Sequence, residues 1–172
     1  QAGLPYSAYL KKEYAPIKAF TAPYLGGIGS FQNDVKVSQQ CFISSEPLTA
    51  LAAGLKINTF LVADSGYNPY ATVLVTSRDR WDASPAEVKG MVAAVRRGWN
   101  DYLERPEDTN SAMQALNKAM SSDTFEHSAQ AQQLLIKTDT TTDIGEMSLA
   151  RWQTLGDQLL DLKIIQKPVQ AK

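Results

Sequence analysis

The chain is 172 residues long, 44% hydrophobic and 20% charged, which supplies apolar material for one good core or two small lobes and is too apolar for intrinsic disorder. Seventeen Lys and Arg against eighteen Asp and Glu leave a net charge of -1, so no basic field exists to collect the phosphates of nucleic acid or anionic lipid. A single cysteine, Cys41, and a single histidine, His127, exclude an intrachain disulfide scaffold and a Cys/His site for zinc or haem, and no window approaches the roughly 20 apolar residues of a membrane span.

Residues 1 to 80 carry six of the ten glycines and several short β-branched runs, whereas residues 84 to 165 read as successive helices. Ile17 to Ala22 reads as a strand, followed by the glycine cluster Gly26-Gly27-Ile28-Gly29 and a short helix through Phe31 and Val35. Gln39 to Ile43 reads as a second strand. Pro47 suits the first turn of a helix that carries Leu48, Leu51 and Ala52 and stops at Gly54. Ile57 to Ala63 is an apolar run of strand length closed by Asp64-Ser65-Gly66, and Ala71 to Thr76 has the content of a buried strand. Strand, helix, strand, helix, strand is the alternation of an α/β fold.

The second half begins with Ser84-Pro85-Ala86-Glu87, a capping box with proline at the first helical position, and the apolar stripe from Val88 to Leu103 ends before Pro106. A second helix is expected over Glu107 to Met120. A third is expected from Asp123, paired with Glu126, to Leu135, and the polar stretch Thr138 to Asp143 reads as a loop. The last helix starts at Ser148, presents Trp152, Leu155, Leu159 and Leu162 on one face, and Pro168 closes the ordered region.

Few residues suggest chemistry. The glycine turn after Tyr24 could aim backbone N–H groups at an anionic or carbonyl group, although it lacks a P-loop lysine and the dinucleotide-binding spacing; a plain tight turn is the alternative. Glu46 follows a strand end, where open sheets present side chains to a ligand crevice; a carboxylate there can pair with ring N–H donors or simply complement the positive end of its helix. Six of the seven tyrosines lie in the first 70 residues, offering either flat stacking faces for a planar solute or ordinary packing. Trp81, Trp99 and Trp152 read as core, His127 as exposed, Cys41 as a small hydrophobe in its strand, and Arg96-Arg97 as a solvated charge pair on the outer face of a helix. None of these makes a catalytic constellation, and no cofactor is expected.

Gln39-Gln40, Ser44-Ser45-Glu46-Pro47 and Asp64-Ser65-Gly66-Tyr67-Asn68-Pro69-Tyr70-Ala71-Thr72, continued by Gly98-Trp99-Asn100-Asp101-Tyr102-Leu103, Asn110, Ile144-Gly145-Glu146-Met147 and Arg151-Trp152-Gln153, resemble the solute-binding proteins of ABC importers for thiamine pyrimidine precursors, riboflavin and related molecules. Gly3-Leu4-Pro5-Tyr6 and Tyr9-Leu10-Lys11-Lys12 resemble the helix that opens the family's second lobe. The resemblance implies the type II periplasmic-binding fold, two α/β lobes joined by a hinge around a cleft. Residues 1 to 66 then correspond to the second lobe, Tyr67 to Tyr70 to a hinge crossing, and 67 to 172 as a whole to the crossing with the C-terminal, helical part of the first lobe. A complete member carries about a hundred further residues before Gly3, so the N-terminal segment of the first lobe is expected to be missing.

Carried over position by position, the resemblance places Pro5, Tyr6, Tyr24, Gly26, Gly27, Glu46, Tyr67, Asn68 and Tyr70 at the ligand. It implies a periplasmic or lipid-anchored protein whose partners are a small-molecule solute, the transmembrane permease subunits and the missing lobe segment. A pyrimidine-synthesising enzyme on the same fold is the alternative; its chemistry depends on a histidine and a cysteine-rich iron motif, which His127 and Cys41 do not form. A sensory ligand-binding module is the third reading.

Overall fold

A helix satisfies its backbone within its own segment, so helices form here wherever the sequence supplies a start signal. The computed structural model describes residues 4–137 and 143–172. Among them, in chain order, are α1 (Pro5–Glu13), α2 (Gly29–Asn33), α3 (Glu46–Ala52), a 3-10 turn (Val62–Ser65), α4 (Arg78–Ala83), α5 (Pro85–Glu104), α6 (Glu107–Leu116), α7 (Ser122–Ile136) and α8 (Leu149–Asp161). Proline opens α1, α3 and α5, where its missing N–H costs nothing. Serine side chains cap three others: Ser77, Ser121 and Ser148 accept from the backbone N–H groups of Arg80, Thr124 and Arg151.

Several expected boundaries shift for local reasons. The Ser84 side chain makes no capping bond, and its expected partner Glu87 instead holds Arg80 at 2.7 Å. Helix α7 starts from Ser121 rather than Asp123. Helix α6 ends at Leu116, four residues before Met120, because Asn117 leaves the helical region and closes the turn with its N–H on Met113. Helix α4 was not foreseen. Pro168 does not end the order: the Gln153 side chain donates to the Val169 carbonyl at 3.0 Å and accepts from the Ala171 N–H at 3.1 Å.

The larger correction concerns the strands. Residues 17–22, 39–43, 57–61 and 71–76 form no ladder, and no strand occurs among the described residues. The apolar side chains that marked these stretches point to water: Phe20 is 91% exposed and Phe60 89%. A strand exists only through a neighbouring strand that takes up its N–H and C=O groups in a ladder, and these runs form none among the described residues. The chain as described is therefore helix-rich. Cys41 is accordingly exposed rather than packed in a strand.

Two compact units form from interleaved stretches of chain. The first comprises Gln1–Gln40, Asn58–Ala71 and Met147–Lys172; the second comprises Cys41–Ile57 and Thr72–Glu146. The boundary expected after residue 66 thus falls inside the first unit. In that unit Tyr67 is the buried anchor, 6% exposed, with its ring 5.2 Å from that of Tyr9. In the second, α3 and α6 pack on α7 and α4 packs on α5, burying Ala50, Phe125, Ala129 and Ile144. Arg96 is half-buried rather than on a solvated outer face: its Nη1 meets Asp143 at 3.2 Å, while its Nε is buried without an acceptor among the described residues. No helix among them is long and apolar enough to cross a membrane.

Substituting Ser121→Ala removes the side-chain acceptor that caps α7 and is expected to lower stability by about 1 kcal/mol in urea titrations followed by helical circular dichroism.

Candidate functional site

Eight of the nine residues expected at the ligand lie in the first unit, and Glu46 lies in the second. Pro5 and Tyr6 occupy the first turn of α1 and are half-buried; burial pushes the Tyr6 phenol above its ordinary range. Gly26 and Gly27 take φ of +89° and +63°, a left-handed turn that favours glycine, and no atom lies within 4 Å of where a side chain would begin at either. The Gln39 amide donates to the Gly27 carbonyl at 2.9 Å and braces this turn. Tyr24, on the coil before it, is 47% exposed.

Glu46 stands in the first turn of α3. Its Oε2 accepts from the Phe42 N–H at 3.2 Å, so the carboxylate closes the turn that leads into its own helix. Burial first, and the Glu46 charge second, push the Cys41 thiol upward, which disfavours a reactive thiolate at that position.

Tyr67, Asn68 and Tyr70 are brought together by contacts the sequence did not announce. The Tyr9 hydroxyl donates to the Ser65 carbonyl at 2.9 Å, and the Gln158 amide donates to the Gly66 carbonyl at 2.9 Å. Gly66 takes φ +95°, and a Cβ there would stand 2.8 Å from the Tyr9 Oη. Arg151, in the first turn of α8, donates from Nε to the Asn68 carbonyl at 2.6 Å and from Nη2 to Asn68 Oδ1 at 2.6 Å and the Pro69 carbonyl at 3.0 Å. The same guanidinium lies 4.1 Å from the centre of the Tyr70 ring. That ring also packs at 5.3 Å on Trp152, and its hydroxyl accepts from the Ser148 N–H at 2.8 Å.

The role of Arg151 in holding this segment is not read from the sequence, although one signal is available. A cation in the first turn of a helix opposes the helix dipole, so its presence implies a partner outside the helix. Burial pushes Tyr67 above the usual phenol range. For Tyr70, desolvation pushes upward but is outweighed by the bond from Ser148 and the nearby Arg151 charge, and the phenol is lowered.

The second unit holds a separate groove of about 340 Å³, lined by Tyr102, Asn110, Gln114, Phe125, Glu126 and neighbouring residues of α5, α6 and α7. The Tyr102 hydroxyl donates to Asn110 Oδ1 at 3.0 Å on its wall. None of the nine expected ligand residues lines it. His127 is exposed on α7, as expected.

Residues 27–109 match the protein-family model described as NMT1/THI5 like. The matched stretch includes Gly27, Glu46, Tyr67, Asn68 and Tyr70, five of the nine residues at issue. No curated protein and no solved structure matches the chain.

A spectrophotometric alkaline titration is expected to separate these phenols. Tyr70→Phe should remove signal from the low-pH side of the transition and Tyr67→Phe from the high-pH side. The signs for stability are opposite. Tyr67, raised in the fold, contributes fully below its ordinary value of 10.0 and loses that contribution as pH rises through its folded value. Tyr70, lowered in the fold, contributes above its ordinary value and loses that contribution as pH falls through its folded value.

Proposed function

We propose that the chain is part of an extracytoplasmic solute-binding protein of an ABC importer, which captures a small planar or nitrogen-containing solute similar to a thiamine pyrimidine precursor and hands it to the membrane permease unaltered. The observation that carries this reading is the NMT1/THI5-like match over residues 27–109, because it covers Gly27, Glu46 and the Tyr67–Tyr70 segment in one stretch. The open left-handed turn at Gly26 and Gly27 supports it: backbone there can approach a ligand where any side chain would stand in the way. Glu46 supplies the carboxylate that a ring N–H or amino group calls for, through a charge-assisted bond.

In this reading residues 1 to 66 contribute to the second lobe of a type II binding fold, Tyr67 to Tyr70 cross between lobes, and the remainder contributes to the first lobe. In this reading the runs at 17–22, 39–43 and 57–61 pair within the second lobe, and the run at 71–76 pairs with a first-lobe segment that precedes them. Binding draws the lobes together because the ligand favours the closed arrangement through contacts to both.

The test is a thermal-shift screen of the complete protein against thiamine pyrimidines, riboflavin and small sulfonates, with the solute recovered and weighed by mass spectrometry. A rise in melting temperature with one class and recovery of the solute intact are expected, since ligand binding stabilises by mass action. Conversion of the solute, or no shift with any class, would count against the transport reading. Glu46→Gln keeps an acceptor for the Phe42 N–H and removes the charge; it should weaken binding about tenfold or more, read by calorimetry on a variant whose helical circular dichroism matches the wild type.

A further inference from the structure

Four oxygens of the Asn68–Tyr70 segment accept hydrogen bonds within its own unit. The Asn68 side-chain oxygen, the Asn68 and Pro69 carbonyls and the face of the Tyr70 ring all receive the Arg151 guanidinium, and the Tyr70 hydroxyl receives the Ser148 N–H. Charge-assisted bonds from a rigid planar fork are stronger and more directional than neutral ones. The two segments joined in this way lie 83 residues apart in sequence. On the other side, Tyr67 is buried against Tyr9 and the Gly66 carbonyl is held by Gln158. By contrast, residues 72–76, immediately after the segment, are exposed and outside any helix.

We infer that Arg151 is a positioning residue: with Ser148 it latches the Asn68–Tyr70 segment onto the start of α8, so the Asn68 side-chain oxygen and the Tyr70 hydroxyl serve the latch and not the solute. Backbone freedom at this crossing therefore begins after Tyr70, in the stretch 72–76. The consequence for solute binding rests on the transport reading above; the latch itself does not.

Amide hydrogen exchange at Ser148, read by NMR on the complete protein, tests the latch. Arg151→Met retains the aliphatic stem but loses every donor, and should speed exchange at Ser148 by about tenfold or more while amides of α6 and α7 keep their wild-type protection. Arg151→Lys retains the charge without the fork and should give an intermediate rate, which serves if the methionine variant fails to fold. Unchanged exchange at Ser148 in either variant would overturn the latch.

Affinity for whichever solute the screen identifies separates the two readings of Asn68. As a latch member, Asn68→Ala should accelerate Ser148 exchange, and combining it with Arg151→Met should weaken solute binding no more than Arg151→Met alone. Weaker binding in Asn68→Ala with Ser148 exchange unchanged would make Asn68 a solute contact and overturn the inference. Should no solute bind at all, the transport reading fails while the exchange result still decides the latch.

Discussion

One guanidinium gathers the first unit. Arg151 reaches two carbonyls and a side-chain oxygen on Asn68 and Pro69 and covers the ring of Tyr70, joining Asn58–Ala71 to Met147–Lys172. Closing a loop of that length costs only slightly more than closing one of half the length, and hydrogen bonds to a charged group contribute about 1.5–3 kcal/mol each. The ion pair of Lys12 with Asp161 links α1 to α8 as well, but both side chains are exposed, and such pairs contribute about 0–1 kcal/mol. The Arg151 bonds to Asn68 are exposed as well, so it is their number and fork geometry, with the buried Tyr67 ring, that distinguish this junction from the single surface pair.

What the sequence reveals of this fold is what can be decided locally. The starts at Pro47, Pro85 and Ser148 were legible because a cap or a first-turn proline acts on residues within four positions of it, whereas the helix at Pro5 was expected from the family resemblance alone. The long α5 was legible from its apolar period. The strands were not, since residues 17–22 and 71–76 have the composition of strands but a strand is a relation between two segments, and composition names only one of them. Helix α4 escaped for the reverse reason: Arg-Asp-Arg-Trp-Asp-Ala carries no apolar period, and it rests on the Ser77 cap and on the Arg80–Glu87 pair that ties it to α5.

The site was legible in the same proportion. Gly26 and Gly27 could be picked out because consecutive glycines after an aromatic residue signal a backbone that other residues resist, and both take left-handed conformations. Tyr67, Asn68 and Tyr70 could be picked out as a segment of consequence. Their partners could not, because Arg151 and Ser148 are remote in sequence and neither belongs to a motif with fixed spacing. Arg96 shows the same limit: beside Arg97 it read as a solvated pair, yet Asp143, 47 residues on, draws it to the protein surface of the second unit.

The exposed apolar side chains carry the last step. Burying a phenylalanine removes about 1.5–3 kcal/mol of unfavourable hydration, and Phe20, Phe42 and Phe60 all remain largely in water, each on a run that composition marks as strand. A single exposed phenylalanine is ordinary on a protein surface. Three of them on three strand-like runs that form no ladder among the described residues combine an apolar demand with a hydrogen-bonding demand. In the proposed two-lobed protein the three runs belong to one lobe, so their pairing with one another is intramolecular and does not depend on association. A second copy of the chain offers only the same strand-like runs at bulk concentration, and exposed edges of that kind pair without a fixed end point. The demand is therefore better met from within one chain than by association of copies.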